Sequence, residues 1–290
     1  MTKLFVVGNP IEHSKSPLIH NYWLKKYDQD FQYEKLQLSL EEKVFTKQKH
    51  ELIKKIRDGE IKGINITVPF KTKFQDILDE IDESAKLAKA INTIYKKGEK
   101  VVGTNTDGIG FCTSLKADFN FLVPSYIGIV GAGGAAYGIL SELIKYKPKV
   151  IEIWNRTNSN ARKLVNNFKL AEISKNTHWK INNLSDNVHA SIELFINTSY
   201  LGMKSDHKAD GIWGLLSRES FVYDINYNQE FTIFNQMADK IGVNPQRNVN
   251  GKYMLIRQAA ESFKKWFNIN LNKNDIDEVA DLLGAKNNYL

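Results

Sequence analysis

The stretch YIGIVGAGGAAYGIL, residues 126–140, determines how the second half of the chain folds. A short apolar run predicts a buried strand, and glycines end it before a segment with helical spacing begins. Gly131, Gly133 and Ala136 fall in a G-x-G-x-x-G/A arrangement, in which a tight turn and a helix N-terminus present backbone N–H groups to a pyrophosphate. This context favours a dinucleotide site over a glycine-rich turn that binds nothing.

The next predicted strand, KVIEIW, ends at Asn155, Arg156 and Thr157. A site for NAD usually has Asp or Glu at this tip, where the carboxylate holds the ribose 2′-hydroxyl. A guanidinium instead pairs with a 2′-phosphate and stacks on adenine. Arg156 could also be an exposed arginine in a turn, but the upstream glycines favour a cofactor role. We therefore expect NADP(H) rather than NAD.

Strand and helix signals alternate along the whole chain, which predicts an α/β protein with mostly parallel sheets. The first third contains strand patterns in KLFVVG, FQYEKLQLS and IKGINITVP, and helical patterns in PLIHNYWLKKY, residues 41–58 and residues 70–81. NTIYKKGEKVVGTN indicates two strands joined by a turn. A second series of alternating strand and helix patterns starts at residues 126–140. It continues through the strand patterns ELFINTS and FVYDINY and ends with two helical segments. A boundary between two domains is expected near residues 104–110.

The composition is that of a globular protein. The 290 residues are 42% hydrophobic and 25% charged, which suits about two domains. The net charge of +7 would suit nucleic acid, but the lysine-rich segments carry both signs at helical spacing and indicate solvated helix faces. We expect neither a nucleic-acid partner nor a membrane span, and a cytoplasmic location. Cys112, the single cysteine, is expected in the core of a protein kept reduced.

Short polar side chains follow the predicted strands of the first third. Asn65 and Thr67 share one strand face, Lys71 comes shortly after, and Asn92 and Asp107 follow later strand signals. Singly, each has a simple explanation: a helix N-cap for Asp107, a turn for Asn92, a surface lysine for Lys71. Because open parallel sheets bind ligands at strand ends, the group together predicts a ligand site.

Lys71 and Asp107 suit the chemistry of ketone reduction. Hydride transfer builds negative charge on the carbonyl oxygen, which needs a proton donor or a cation within hydrogen-bond reach. Lys71 supplies it, and Asp107 would hold the ammonium and accept a hydrogen bond from a neighbouring substrate hydroxyl. The six histidines show no metal-binding spacing and no G-x-S-x-G occurs, so neither a metal site nor a serine triad is expected.

Several blocks together resemble shikimate dehydrogenases nearly end to end: GNPIEHSKSPLIHN, NITVPFK, INT, NTDGIGF, GAGGAA, NRT, NTSYLGM and GKYMLIRQAAESF. The resemblance implies a substrate domain of residues 1–106 plus 242–290 and an inserted Rossmann-type NADP-binding domain of residues 107–241, with the active site in the cleft. The implied reaction is the reversible reduction of 3-dehydroshikimate to shikimate by a monomer or homodimer. Two alternatives remain: a related branch that also uses quinate, often with NAD, and a non-catalytic NADP-binding regulator.

The resemblance also implies residue roles, with Lys71 and Asp107 as the catalytic pair. Ser14 and Ser16 would hold the substrate carboxylate with help from Tyr227. The other implied substrate-binding residues are Asn65, Thr67, Asn92 and Gln258. The implied cofactor-binding residues are Gly131, Gly133, Gly134 and Ala135 for the pyrophosphate, Asn155, Arg156 and Thr157 for the 2′-phosphate, and Thr198, Ser199, Met203 and Gly251 near the nicotinamide. Tyr137 and Asn250 depart from the residues common at these positions in the family.

Overall fold

The computed structural model describes residues 2–184, 186, 192–199, 216–229 and 231–285. The chain forms two compact units. The first comprises Met1–Gly110 and Ile256–Val279, and the second comprises Phe111–Leu255 and Ala280–Leu290. In the described residues, no helix combines the length and the apolar character that crossing a membrane requires.

The first unit is built on a six-stranded sheet with the order β2-β1-β3-β5-β6-β4. Its strands are β1 (Thr2–Gly8), β2 (Phe31–Gln37), β3 (Ile61–Ile66), β4 (Glu80–Ile81), β5 (Thr93–Lys97) and β6 (Lys100–Thr104). The first helices of the chain are α1 (Ser16–Lys26), α2 (Glu42–Asp58), α3 (Glu83–Ala88) and α4 (Asp107–Asp118). β1 runs parallel to β2 and β3, whereas β5 runs antiparallel to β3 and β6.

The antiparallel course of β5 determines where the polar side chains meet. Thr93, the first residue of β5, lies opposite Asn65 of β3 and Thr104 of β6. The amino end of β5 therefore adjoins the carboxyl ends of both neighbours. Asn92 and the segment after β6 consequently reach the same edge of the sheet as the end of β3.

The helix predicted for residues 70–81 is wrong. The segment contains a short 3₁₀ helix, Gln75–Ile77, followed by β4. Phe70 and Phe74 have helical spacing, but both are buried against Phe45, with ring centroids 4.6 and 5.9 Å away. β4 then pairs with β6, which demands an extended backbone. The apolar spacing thus reflects a packed loop rather than a helix.

The second unit contains a six-stranded parallel sheet with the order β12-β11-β10-β7-β8-β9. Its strands are β7 (Tyr126–Val130), β8 (Val150–Trp154), β9 (His178–Asn182), β10 (Leu194–Asn197), β11 (Phe221–Asp224) and β12 (Asn248–Asn250). The remaining helices of the chain are α5 (Gly134–Leu143), α6 (Asn158–Lys169), α7 (Ile233–Ile241), α8 (Lys252–Phe267) and α9 (Lys273–Leu282). This is the Rossmann strand order, which reverses between β7 and β10. The predicted α/β fold with two mostly parallel sheets is confirmed.

The two units differ from the expected domain bounds in three segments. Residues 242–255 belong to the second unit because β12 pairs with β11. Residues 280–285 join them, and the Lys252 ammonium donates to the Gly284 carbonyl at 2.8 Å. Residues 107–110 stay in the first unit, where Gly110 packs so closely on Gln258 that an added Cβ would lie 2.6 Å from its backbone nitrogen.

Candidate active site

Lys71 and Asp107, the predicted catalytic pair, are in direct contact. The Lys71 ammonium donates to Oδ2 of Asp107 at 2.6 Å, and the two side chains are 19% and 7% exposed. Lys71 lies in the loop after β3, and its carbonyl accepts from the backbone N–H of Ile91, just before β5, at 2.7 Å. Asp107 begins α4, and its N–H donates to the Asn105 side chain at 3.0 Å. The pair is well shielded from water, and the lysine is its more accessible member.

Asn92 fixes the orientation of the Asp107 carboxylate. Its amide nitrogen donates to Oδ1 of Asp107 at 2.8 Å and to Oγ1 of Thr106 at 2.9 Å. Its amide oxygen accepts from the backbone N–H of Thr106 at 2.8 Å. Gln258 joins the group, with its amide oxygen 3.4 Å from the Thr106 hydroxyl. Both carboxylate oxygens are thus engaged, and Oδ2 is the one that faces Lys71.

Asn65 lies deeper in the same network. The Tyr33 hydroxyl donates to its amide oxygen at 2.6 Å. Its amide nitrogen lies 3.0 Å from the hydroxyls of both Thr93 and Ser262 and 3.1 Å from the Asn92 carbonyl. Two N–H groups therefore already face three acceptors, so Asn65 has only a lone pair on its oxygen left for a ligand.

Ser14, Ser16 and Thr67 lie on the adjoining loops. Ser16 is buried at the start of α1, and Ser14 accepts from its backbone N–H at 3.4 Å. Thr67 is tied to β1 through a backbone bond of 2.9 Å to the Val7 carbonyl. Gly8 explains how closely these loops approach each other, because a Cβ there would lie 2.5 Å from the Thr67 methyl group. Ser14 and Thr67 are half-buried residues rather than enclosed ones.

His20 is an uncharged neighbour of this network. Burial lowers its pKa to about 3, although the Asn65 side chain acts in the opposite direction. Its ring stacks on Tyr33 with centroids 4.3 Å apart. Burial also raises the pKa of Tyr33, so that residue keeps its proton at neutral pH. Among the described residues of this network, Lys71 is therefore the one that offers a cation to a developing oxyanion.

The glycine loop of the second unit has the geometry expected of a pyrophosphate site. Gly131 has φ +106°, and a Cβ there would lie 2.6 Å from Oγ1 of Thr198. A Cβ on Gly133 would meet nothing within 4 Å, so the space beside this residue is open. α5 starts at Gly134, and its first-turn N–H groups have no partners within the helix. Because β7 and β10 flank the reversal of strand order, Thr198 and Ser199 lie beside this loop.

The tip of β8 offers a cation for a 2′-phosphate. Arg156 is exposed, and no described residue forms an ion pair with its guanidinium. Asn155 donates from its side chain to the Thr157 carbonyl at 2.7 Å, which closes the turn before α6. The available anion-binding groups and the open space at the glycine loop fit NADP(H).

The last three predicted residues are Gly251, Tyr227 and Met203. Gly251 is buried, and a Cβ there would lie 1.9 Å from the Ile225 carbonyl oxygen, so close packing explains this glycine. Tyr227 is half-buried in the second unit, after β11, whereas the other predicted substrate-binding residues belong to the first. Met203 lies outside the described residues.

Known proteins share this arrangement of sequence and fold. Residues 6–94 match the family model described as the shikimate dehydrogenase substrate binding domain. A shikimate dehydrogenase (NADP(+)) of Pelagibacter ubique is 37% identical over 270 residues, which cover 93% of this chain and 95% of that protein. The chain belongs to the shikimate dehydrogenase family.

Further members of the shikimate dehydrogenase family match over nearly the whole chain. A shikimate dehydrogenase (NADP(+)) of Hydrogenovibrio crunogenus is 36% identical and covers 98% of this chain and 100% of its own. A crystal structure of a shikimate dehydrogenase in complex with NADP+ superposes with a TM-score of 0.84 at 29% identity, covering 98% of this chain and 96% of that one. The resemblance predicted from the motifs is thereby confirmed.

Sequence reasoning missed several members of the first-unit network. Thr93 and Thr106 lie inside the motifs INT and NTDG. Their position next to Asn92 and Asp107 in the sequence is a signal that could have identified them. Ser262 lies four residues after Gln258 on α8, the spacing that places two side chains on one helix face. Tyr33 lies in an alternating strand with nothing that distinguishes it from a core residue. In the described part of the chain, no three His, Cys, Asp or Glu side chains are grouped to hold a metal ion.

Proposed function

We propose that this member of the shikimate dehydrogenase family catalyses the reversible NADPH-dependent reduction of 3-dehydroshikimate to shikimate, with Lys71 and Asp107 at the reacting oxygen. The observation that carries the assignment of these two residues is their 2.6 Å contact at the strand ends of the first unit. Relatives that match over nearly the whole chain are named as NADP-dependent shikimate dehydrogenases, which supports the reaction.

Lys71 supplies the positive charge and the proton that the carbonyl oxygen needs as the ketone is reduced to an alcohol. Bound NADPH supplies the hydride. The ammonium of Lys71 stabilises the negative charge that develops on the oxygen and delivers the proton that completes the alcohol. In the direction of oxidation, the same amine receives the proton from the shikimate hydroxyl.

Asp107 and Asn92 keep the lysine in position for this step. Asp107 holds the ammonium at 2.6 Å and accepts a hydrogen bond from a neighbouring substrate hydroxyl. Asn92 donates to the second carboxylate oxygen at 2.8 Å, which prevents the carboxylate from rotating away from Lys71. Pre-organised groups of this kind need no rearrangement during the reaction.

The remaining first-unit residues bind the rest of the substrate in this proposal. Ser14 and Ser16 donate their hydroxyls to the carboxylate, and Tyr227 of the second unit assists them. Thr67, Gln258 and Asn92 bind the ring hydroxyls. Asn65 contributes as an acceptor, since its N–H groups already face Thr93, Ser262 and the Asn92 carbonyl.

The second unit binds NADP(H) in this proposal. Gly131, Gly133, Gly134 and Ala135 receive the pyrophosphate at the start of α5. Asn155, Arg156 and Thr157 bind the 2′-phosphate, and Thr198, Ser199, Met203 and Gly251 belong to the nicotinamide end. A guanidinium at the strand tip, where NAD sites place a carboxylate, supports NADP(H) over NAD.

The decisive experiment measures initial rates of NADP+ reduction with shikimate, in parallel with NAD+ and with quinate. Rapid turnover with shikimate and NADP+ alone is the expected result. Comparable rates with quinate and NAD+ would place the protein in the broader branch. Stabilisation by both ligands without turnover would instead identify a non-catalytic NADP-binding regulator.

Two lysines of one loop provide a matched pair of variants. Lys71→Met should abolish most turnover while NADPH still binds. Lys73→Met removes an exposed lysine two residues away, whose nearest carboxylate, Glu42, is 3.5 Å distant, and should turn over at nearly the wild-type rate. Equal activity of the two variants would refute the role given to Lys71.

We also propose that the first unit is the substrate domain and the second the NADP domain of a cytoplasmic monomer or homodimer that binds no nucleic acid. Cys112 is buried, and burial raises the pKa of its thiol, which suits a protein that forms no disulfide. Size-exclusion chromatography with light scattering tests the oligomeric state. Salt-dependent binding to an oligonucleotide would contradict the absence of a nucleic-acid partner.

A further inference from the structure

Asp224, at the end of β11, is a buried carboxylate that the proposed mechanism does not use. It is 1% exposed, and no described lysine, arginine or histidine forms an ion pair with it. Its Oδ1 accepts from the Asn197 side chain at 3.1 Å, from the Asn226 backbone N–H at 3.0 Å and from the Asn226 side chain at 2.7 Å. A carboxylate that orders two asparagines, with no cation partner in the described part of the chain, requires another explanation.

Those two asparagines hold Ser199 from both sides. The Asn197 amide oxygen accepts from the Ser199 backbone N–H at 3.0 Å and from its hydroxyl at 2.8 Å. The Asn226 side chain donates its second N–H to the Ser199 carbonyl at 3.0 Å. We call Asp224, Asn197 and Asn226 the Asp224 clamp. Of the two side-chain N–H groups of Asn226, one donates to Asp224 and the other to Ser199, so the orientation of this side chain depends on the carboxylate.

The Asp224 clamp links three segments that were each predicted to bind the cofactor. Ser199 continues from Thr198, whose hydroxyl would lie 2.6 Å from a Cβ on Gly131. The backbone N–H of Gly251 donates to the Asn226 carbonyl at 3.1 Å. The two asparagines bonded to Asp224 therefore contact the segment after β10 and the residue before α8, and the segment after β10 in turn packs on the glycine loop.

We propose that Asp224 is a positioning residue for NADP(H): through Asn197 and Asn226 it fixes Ser199 against the glycine loop without touching the cofactor itself. This inference rests on the proposed function, because it concerns the same cofactor site. Asp224 lies outside the recognised motifs, and the proposal is that it contributes to the NADP(H) affinity that the motif residues provide.

The test measures the dissociation constant of NADPH by fluorescence titration for the wild type, Asp224→Ala, Asp224→Asn and Val222→Ala. Asp224→Ala removes the acceptor of the three hydrogen bonds from Asn197 and Asn226 and should weaken NADPH binding about tenfold or more. Asp224→Asn keeps an oxygen at the same position and should stay within about threefold of wild type. Val222→Ala truncates a buried side chain of the same strand, so it should destabilise the unit and leave affinity unchanged.

A kinetic readout separates positioning from loss of structure. For Asp224→Ala, the KM for NADP+ should rise more than the KM for shikimate, because the predicted substrate groups other than Tyr227, which follows Asn226, lie in the first unit. Should Asp224→Ala not fold, Asn226→Ala removes the side-chain bonds to Asp224 and Ser199 and should show the same tenfold loss.

Three results would overturn the proposal. The first is an unchanged NADPH affinity in a folded Asp224→Ala or Asn226→Ala variant. The others are a loss of NADPH affinity in Asp224→Asn, or in Val222→Ala, that equals the loss in Asp224→Ala. If the wild type turns over shikimate with NADP+ and any of these occurs, only this inference fails. If the wild type binds no NADPH, the proposed function fails with it.

Discussion

Replacing Asp224 by asparagine should stabilise the protein at neutral and alkaline pH, and much less at acidic pH. Burial raises the pKa of Asp224 from 3.8 to about 6, and hydrogen bonds from Asn226, Thr232 and Asn197 counteract this only in part. At about 1.4 kcal/mol per pKa unit, the buried charge costs the folded state about 3 kcal/mol once it is fully ionised.

The sign follows from which state binds the proton more tightly. A raised folded-state pKa means that the folded protein keeps the proton at pH values where the unfolded chain has lost it. Stability linked to this group is therefore full below about pH 4 and is lost as the pH rises through about 6. An asparagine does not titrate, so the variant lacks this loss while its amide oxygen still accepts from Asn197 and Asn226.

The assay is urea-induced unfolding of wild type and Asp224→Asn, followed by circular dichroism at matched pH values. Other titrating groups contribute equally to both proteins, so the difference in unfolding free energy isolates Asp224. This difference should shift in favour of the variant by about 2 kcal/mol between about pH 4 and about pH 8. A difference that stays constant within about 0.5 kcal/mol would refute the reasoning, because the carboxylate would then not be destabilised by burial.

Three further substitutions test the candidate site. Asp107→Asn keeps the size of the side chain but removes the charge that holds Lys71, so kcat should fall about 100-fold with little change in NADPH affinity, by steady-state kinetics and fluorescence titration. Arg156→Ala should raise the KM for NADP+ about tenfold or more and leave the KM for NAD+ unchanged. An equal rise in both KM values would refute the binding of the 2′-phosphate by Arg156. Tyr33→Phe deletes the hydroxyl that orients Asn65, so the free energy of unfolding should fall by about 1 kcal/mol in urea denaturation; an unchanged value would mean that this bond is not formed.

Local periodicity was sufficient to predict most elements that position the site. The alternation in the first third, the turn of KKGEK and the glycine loop each reflect backbone preferences within a few residues. Residues 70–81 were assigned wrongly because Phe70 and Phe74 have helical spacing for another reason: both pack on Phe45 of α2 from a loop. β9, β12 and α7 went unpredicted, and β12 has only three residues, too few for a strand period to appear.

Three of the predicted site residues share a property that Tyr33 and Ser262 lack. Lys71, Asn92 and Asp107 are polar residues just after or before a strand, where the sheet rule applies directly to the sequence. Tyr33 is a residue within a strand and Ser262 a residue within a helix. Their contacts with Asn65 depend on how separate elements pack, which no local pattern specifies.

Asp224 is intermediate between the predicted and the missed residues. The sequence contains a signal for it, but this signal can be recognised only when the order of the strands in the sheet is known. The strand in ELFINTS ends at Asn197 and the strand in FVYDINY ends at Asp224, and β10 pairs with β11 so that these two residues lie opposite each other. Once the glycine loop indicates a Rossmann unit, the strands after the reversal run side by side in chain order. Aligning the two sequences by their strand ends would then place the carboxylate beside the asparagine, at the edge where the cofactor binds. The role inferred for Asp224 therefore follows from topology combined with sequence, and from neither alone.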